Sequence, residues 1–389
     1  MTRRYALEDE ERLRAIANVR GWARAGILRS DQAERLEADL HTGLRRTNPF
    51  LRAVLALFTA LIVAAAMGLV FVWLRITGAA PSALTFASAA VVCAVSAEYL
   101  IGAFRLYRHG IEEALAVAAA PLVGLSALAW TESYGLPASR LVPLAVAALA
   151  SVAVYRRFGF VYAGVAAMVL TAMALSELRL EETTRRLVVA LAFAAMFAAA
   201  RVAYLRHDDD VRAGEYASLQ AAACAGTYLT VNVRLFDAFG AFAWGTVARW
   251  FYWGSYVAVW LIPAAGLYVA LRDRDRILLN VSGVAALVTF TTNKPYLGLP
   301  RESWDPILLG VLLVVVATTV RRWLARGPGA QRGGFTAEKT LERDRDWLRT
   351  LATASVAWPQ DVGAARPVES PPSQFEGGRS GGAGGGAQY

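Results

Sequence analysis

Cysteine, histidine, lysine and charge of either sign are all scarce in this chain. Its two cysteines, Cys93 and Cys224, each lie inside an apolar run, so no disulfide framework holds the fold. Its three histidines, His41, His109 and His207, fall in separate charged segments. His207 followed by Asp208, Asp209 and Asp210 is the one local group of metal-ligand types. It has no second ligand group at metal spacing and reads as a solvated loop, so neither a metal nor any other cofactor is expected. Gly-rich phosphate cradles of the GxxxxGK[ST] or GxGxxG kind do not occur, and no Gly-x-Ser-x-Gly nucleophile lies in an apolar segment. The basic residues are almost all arginine, Lys294 and Lys339 being the exceptions, and alanine is abundant, which points to a GC-rich bacterial genome.

Charged residues make up 18% of the chain, against about 25% in soluble proteins. Hydrophobic residues make up 56%, and the mean hydropathy is +0.39. Disorder and an ordinary soluble enzyme are excluded; the composition is that of an integral membrane protein. The net charge of +9 would raise nucleic-acid binding in a soluble domain. Here the arginines flank apolar runs, where they set membrane orientation, and no nucleic-acid partner is expected. The charged N-terminus has no apolar stretch ending in a small-residue cleavage site, so the first membrane helix must serve as its own targeting signal.

A spanning helix needs about 20 apolar residues, or about 17 at the short end. Ten segments meet or approach this: Phe50–Leu74, Ser82–Phe104, Ile111–Trp130, Leu136–Tyr155, Phe158–Ser176, Leu187–Tyr204, Ala217–Val233, Gly254–Leu271, Ile277–Thr292 and Asp305–Trp323. The expected fold is all-α, a polytopic bundle of about ten spans over residues 50–326, preceded by a small cytoplasmic helical hairpin over 1–49. Residues 327–389 carry an amphipathic helix from Thr336 to Val356 and a Gly-rich tail that reads as disordered. Ten arginines in the inner loops stand against nine basic residues in the outer ones, which leaves orientation open. Arg45 and Arg46 before the first span, with Arg321, Arg322 and Arg326 after the last, place both termini in the cytoplasm of a bacterial inner membrane.

In the hairpin, Leu13, Ile16, Val19 and Trp22 recur at helical spacing, Gly26 ends the first helix, and Asp31 with Glu34 can box the start of the second. So small a unit buries little core alone, and it should pack on a partner or on the inner membrane face. Trp22, Gly26, Ile27, Leu28, Asp31, Gln32 and Ala33, followed by Leu36, resemble the opening of a family of uncharacterised bacterial multi-pass "predicted membrane proteins". Arg29 stands where that pattern has serine, which moves the expected cap to Ser30 or Asp31. The resemblance covers about a tenth of the chain and implies an architecture without any catalytic residue.

Polar groups inside spans are costly and tend to be functional. Glu98, Glu112, Glu113, Gln220, Asn232 and Asn280 could form a cation or proton path, or could bond helix to helix, with Glu98 pairing to Arg105 or Arg108. Pro121 with Gly124, and Pro263 with Gly266, fall at matching places in the third and eighth spans, the sequence pointer to broken helices at a transporter site. The aromatic run from Phe236 to Trp260 reads as an interfacial helix or a lid. The outer loop 293–306, with Lys294, Tyr296, Arg301, Trp304 and Asp305, is either a binding loop or a rigid turn. A small-xxx-small stripe at Ala60, Ala64 and Gly68 suggests close packing of the first span. The role expected first is a non-enzymatic membrane scaffold or assembly component, with the lipid bilayer around it and a protein partner on the hairpin or the tail. A cation or small-solute transporter comes second, and a membrane enzyme acting at the 293–306 loop third.

Overall fold

A computed structural model describes residues 4–24, 26–45, 47–135, 140–207, 212–235, 247–300 and 302–327, with two short strand pieces at 331–332 and 335–336. The described fold is helical throughout, apart from a two-residue antiparallel pairing of Gln331–Arg332 with Phe335–Thr336. Beyond Thr336, which stands in that pairing, the expected amphipathic helix and the Gly-rich tail lie outside the described residues.

The N-terminal hairpin is α1 (Leu7–Arg24) and α2 (Ser30–Asp39). Gly26, at φ +72°, makes the turn that a side chain would strain, and the amide of Ile27 closes it on the Trp22 carbonyl at 2.9 Å. The cap of α2 falls one residue earlier than expected. Arg29 holds the cap position and offers no acceptor of its own, while its amide donates to Gln32 Oε1 at 3.2 Å. That is the reciprocal half of a capping box, supplied by glutamine where Glu34 was expected to act. The two helices are tied by a bidentate contact from Arg20 to Glu37, which holds the Glu37 carboxyl below its usual range.

Ten further helices follow: α3 (Pro49–Trp73), α4 (Ala79–Phe104), α5 (Ile111–Ser133), α6 (Leu141–Phe158), α7 (Val161–Ser176), α8 (Glu182–Arg206), α9 (Ala213–Val231), α10 (Arg249–Asp273), α11 (Arg276–Tyr296) and α12 (Asp305–Ala325). Each overlaps one of the ten apolar segments, with ends shifted by a few residues at α6, α7 and α9. Seven of them, α3, α4, α5, α6, α8, α10 and α12, are long and apolar enough to cross a membrane. α7 is short at 16 residues, and α9 and α11 are diluted by polar side chains. Their outward faces would be untenable in water. Leu57, Ile62, Leu69 and Trp73 on α3 are 60–80% exposed, and α12 is apolar on every side yet buries none of its residues. Such surfaces fit hydrocarbon.

Local signals set several ends. Asn48 caps α3 through Leu51 with Pro49 in the first turn, and Asp275 caps α11 through Ile277 and Leu278. The α6–α7 turn lies at Gly159, φ +75°, so α6 carries Arg156 and Arg157 in its last turn, although these two residues fall between the apolar segments that end at Tyr155 and begin at Phe158. The aromatic run does not form a separate interfacial helix where it is described. Trp250 to Trp260 are the first half of α10, and residues 236–246 lie outside the described set.

Helices α3 to α11 alternate in direction, and contacts between like ends show it. At the hairpin end, the starts of α3 and α5 meet through Arg52 and Glu113, the ends of α4 and α6 through Glu98 and Arg157, and the ends of α8 and α10 through Arg201 and Asp273. At the distal end, Thr183 of α8 accepts from the Ala248 amide just before α10. The hairpin packs on the bundle: Tyr5, Leu13 and Ile16 join Ile101, Tyr107, Phe158 and Phe160 in one core. The α2–α3 linker is stitched to the α4–α5 loop, with Arg45 N to Arg105 O at 3.0 Å and Tyr107 N to Arg45 O at 3.1 Å.

The small-residue stripe on α3 does not pack closely. Ala60 and Ala64 are exposed, and a Cβ on Gly68 would meet nothing within 4 Å. The close approaches lie elsewhere: Gly124 against Ala147, Gly226 against the Phe193 ring, and Gly266 against Ser282. Small side chains permit contact but do not compel it, and beside α3 they border a hollow.

Candidate functional site

Two polar groups lie at opposite ends of the bundle. At the hairpin end, Arg52 donates from Nε and a terminal nitrogen to the two oxygens of Glu113, at 2.6 and 2.5 Å. Glu113 is buried and Arg52 about one-third exposed. Glu112, fully buried, accepts the His109 amide at 2.6 Å, while its second oxygen has no hydrogen-bond partner among the described residues. Glu98 pairs neither with Arg105 nor with Arg108. Arg157 grips it in a fork at 2.5 and 3.1 Å, and Arg4 approaches at 3.2 Å. The reason is geometric: Arg105 ends α4 in a left-handed turn at φ +52°, and its chain continues to the Arg45 bridge. The Arg4 amide also bonds the Arg157 carbonyl at 2.9 Å, so the N-terminal segment is latched to the bundle where Glu98 sits. Tyr5 beside it stays protonated. Burial foremost, then the carboxylates of Glu112 and Glu113, raise its phenol well above the usual range.

At the distal end, α9, α10 and α11 share a hydrogen-bonded group. Tyr228 meets Thr289 at 2.9 Å; Asn232 donates to Tyr228 at 3.0 Å and to Thr292 at 3.2 Å. The Tyr296 hydroxyl accepts the Val233 amide and meets Ser255, and Tyr252 donates to the Tyr296 carbonyl. This group accounts for Pro263. A proline inside a helix removes the amide that would pair with the carbonyl four residues earlier, here that of Val259. Thr289 Oγ1 donates to that carbonyl at 2.8 Å. α10 therefore runs unbroken through Pro263 and Gly266, as α5 does through Pro121 and Gly124, and the expected helix breaks do not occur. Thr289→Val keeps the shape and removes the donor, so detergent-solubilised protein is expected to lose about 1–2 kcal/mol. Adding Pro263→Ala should recover part of this, because the restored amide pairs with Val259. Thermal unfolding of both variants checks it.

The two prolines sit in different surroundings. Pro121 borders a groove beside α3, whereas Gly266, one turn from buried Pro263, packs on Ser282 of α11 and Cys224 of α9. Of the polar residues inside the spans, Glu98, Glu112 and Glu113 gather at the hairpin end. Gln220 and Asn232 are buried on α9, where the Gln220 amide has no hydrogen-bond partner among the described residues. Asn280 is exposed on α11 and joins none of them. In the 293–306 loop, Lys294 pairs with Asp305 at 2.5 Å and Asp305 also accepts the Glu302 amide at 3.0 Å, which braces α11 against α12. Tyr296 is buried in the distal group, Trp304 is half exposed, and Arg301 lies outside the described residues.

Two adjoining cavities complete the hairpin end. An apolar groove of about 810 Å³ runs between α3 and α5, from Leu125 and Pro121 past Ala64 and Ala60 to Arg52, Glu113 and Tyr162. A second cavity of about 500 Å³, more polar, shares Pro49 and Arg52 with it and is bordered by Arg14, Thr47, Arg108 and Glu215. Arg52, Arg14, Tyr228 and Thr289 did not stand out in the sequence, and Arg108 did so only as a partner for Glu98. The available signals were an arginine one turn inside the first apolar segment and threonines spaced three apart in a span. No family model, curated protein or solved structure matches the chain.

Proposed function

We propose that the chain is a non-enzymatic scaffold of the bacterial inner membrane that crosses it ten times, holds both termini in the cytoplasm and presents its N-terminal hairpin to a protein partner. The carrying observation is the split surface of the hairpin. Tyr5, Leu13 and Ile16 dock on the bundle, while Trp22, Ile27 and Leu36 remain 48%, 71% and 40% exposed on the same small unit. Three large apolar side chains left exposed on so small a unit after docking suit the apolar surface of a partner. The resemblance of this segment to the opening of bacterial multi-pass membrane proteins supports the same placement. The pairing of Glu98 and Glu113 with arginines weighs against a cation path, since each carboxylate is already neutralised within the bundle. Alternation of α3 to α11, followed by the apolar α12, with Arg45 and Arg46 before the first span and Arg321, Arg322 and Arg326 after the last, supports an even count of crossings.

A photo-reactive residue placed at Ile27 or Leu36 in living cells is expected to form protein adducts, and one at exposed Arg12 on α1 to form none. Equal labelling at all three positions, or adducts to none, would remove the reading.

A further inference from the structure

The structure assigns the paired cavities at the hairpin end to one anionic phospholipid, one of its two acyl chains in the α3–α5 groove and its phosphate in the polar cavity under α1. The groove has the volume of a small-molecule site, which is usually about 300–1,000 Å³, and its wall is almost wholly apolar. It exists because α3 turns alanines at 53, 56, 60 and 64 toward α5 where larger side chains would fill the space. Pro121 adds a second feature, for the Val117 carbonyl in that wall lacks its usual helical amide. At the end of the groove the lining changes from carbon to Arg52, Glu113 and Tyr162, and the polar cavity begins at the same Arg52.

The charge of that cavity selects the occupant. Arg14 and Arg108 border it, and neither has a carboxylate partner among the described residues; Arg108 only lies over the Tyr107 ring, 5.5 Å from its centre. Arg52 gives two N–H groups to Glu113 and also meets the Tyr162 hydroxyl, so only part of its five-donor fork remains for the cavity. Glu10 and Glu215 also face the cavity, but both are buried and Glu10 accepts the Tyr107 hydroxyl. The accessible donors are therefore arginines, at the depth where a headgroup would lie above an acyl chain in the groove. A phosphate there would touch α1, the α4–α5 loop and α3 together and so fasten the hairpin to the bundle.

The test uses delipidated full-length protein in detergent, with phosphatidylglycerol and phosphatidylcholine of identical acyl chains, read by native mass spectrometry. One phosphatidylglycerol should be retained per chain in preference to phosphatidylcholine. Arg14→Gln with Arg108→Gln should cut that preference by roughly thirtyfold, from the usual contribution of about 1 kcal/mol for each basic residue near an anionic headgroup. Phosphatidylcholine, whose phosphate is already balanced by its own trimethylammonium group, should lose less. Ala64→Trp fills the groove and should remove the retained lipid; Ala60→Phe serves the same end should the tryptophan impair folding, as judged by melting without lipid. Equal retention of the two lipids, or retention unaffected by a filled groove, would overturn the assignment. Placement in the inner leaflet rests on the cytoplasmic N-terminus proposed above. Binding in detergent does not depend on it, so failure of one leaves the other standing.

Discussion

Gly110→Ala should abolish stable folding. Gly110 precedes α5 with φ +108°, and a Cβ there would lie 2.3 Å from the Arg52 carbonyl oxygen and 3.2 Å from the Ala56 amide. Both obstacles are backbone of α3, which cannot swing aside as a side chain can. The conformational strain and the overlap together should cost about 4 kcal/mol or more, near the upper end for a single substitution. Gly298→Ala separates the two causes. That glycine has φ +69°, but an added Cβ would meet nothing within 4 Å, so only strain of about 1–2 kcal/mol applies. The check is the yield of monodisperse protein after detergent extraction and its melting temperature: nearly nil for Gly110→Ala, slightly lowered for Gly298→Ala.

Glu113→Ala should have the next largest effect. Removing one member of a buried ion pair leaves the other charge without compensation, typically at about 3–5 kcal/mol. Arg52 is about one-third exposed and can turn toward the polar cavity, so about 2–3 kcal/mol is expected here. Replacing both residues with leucine should cost less than Glu113→Ala alone, because no charge is then stranded. A double-mutant cycle on melting temperature measures the coupling. Near-zero coupling would mean that the pair does not hold α3 to α5.

The ten helices were legible because apolar length is a local property. Each segment such as Phe50–Leu74 carries its own evidence, and caps such as Asn48 and Asp275 lie within three residues of what they cap. Partnerships were much less legible. Glu98 was matched with Arg105 and Arg108, its neighbours in sequence, but the helix pairing brings in Arg157, 59 residues away. The prolines were read as breaks because a sequence shows the lost amide and hides the hydroxyl that replaces it, Thr289 for Pro263. The alanine stripe on α3 misled for a related reason, since small residues mark close contact and hollow alike. Glu112, Glu113 and Asn232 were visible as polar residues in or beside spans, yet whether they formed a path or a brace depended on partners that spacing does not reveal.

The central claim is an even number of crossings that leaves the docked hairpin in the cytoplasm. Single cysteines introduced at Asp31, Arg156 and Arg274, and at Ile76, Leu178 and Leu299, test it through a membrane-impermeant maleimide on intact cells and on inverted vesicles. The native Cys93 and Cys224 are buried and should stay silent. The first three are expected to label only in inverted vesicles and the second three only in intact cells. Labelling of Asp31 in intact cells, or of Arg274 and Leu299 from the same side, would contradict it.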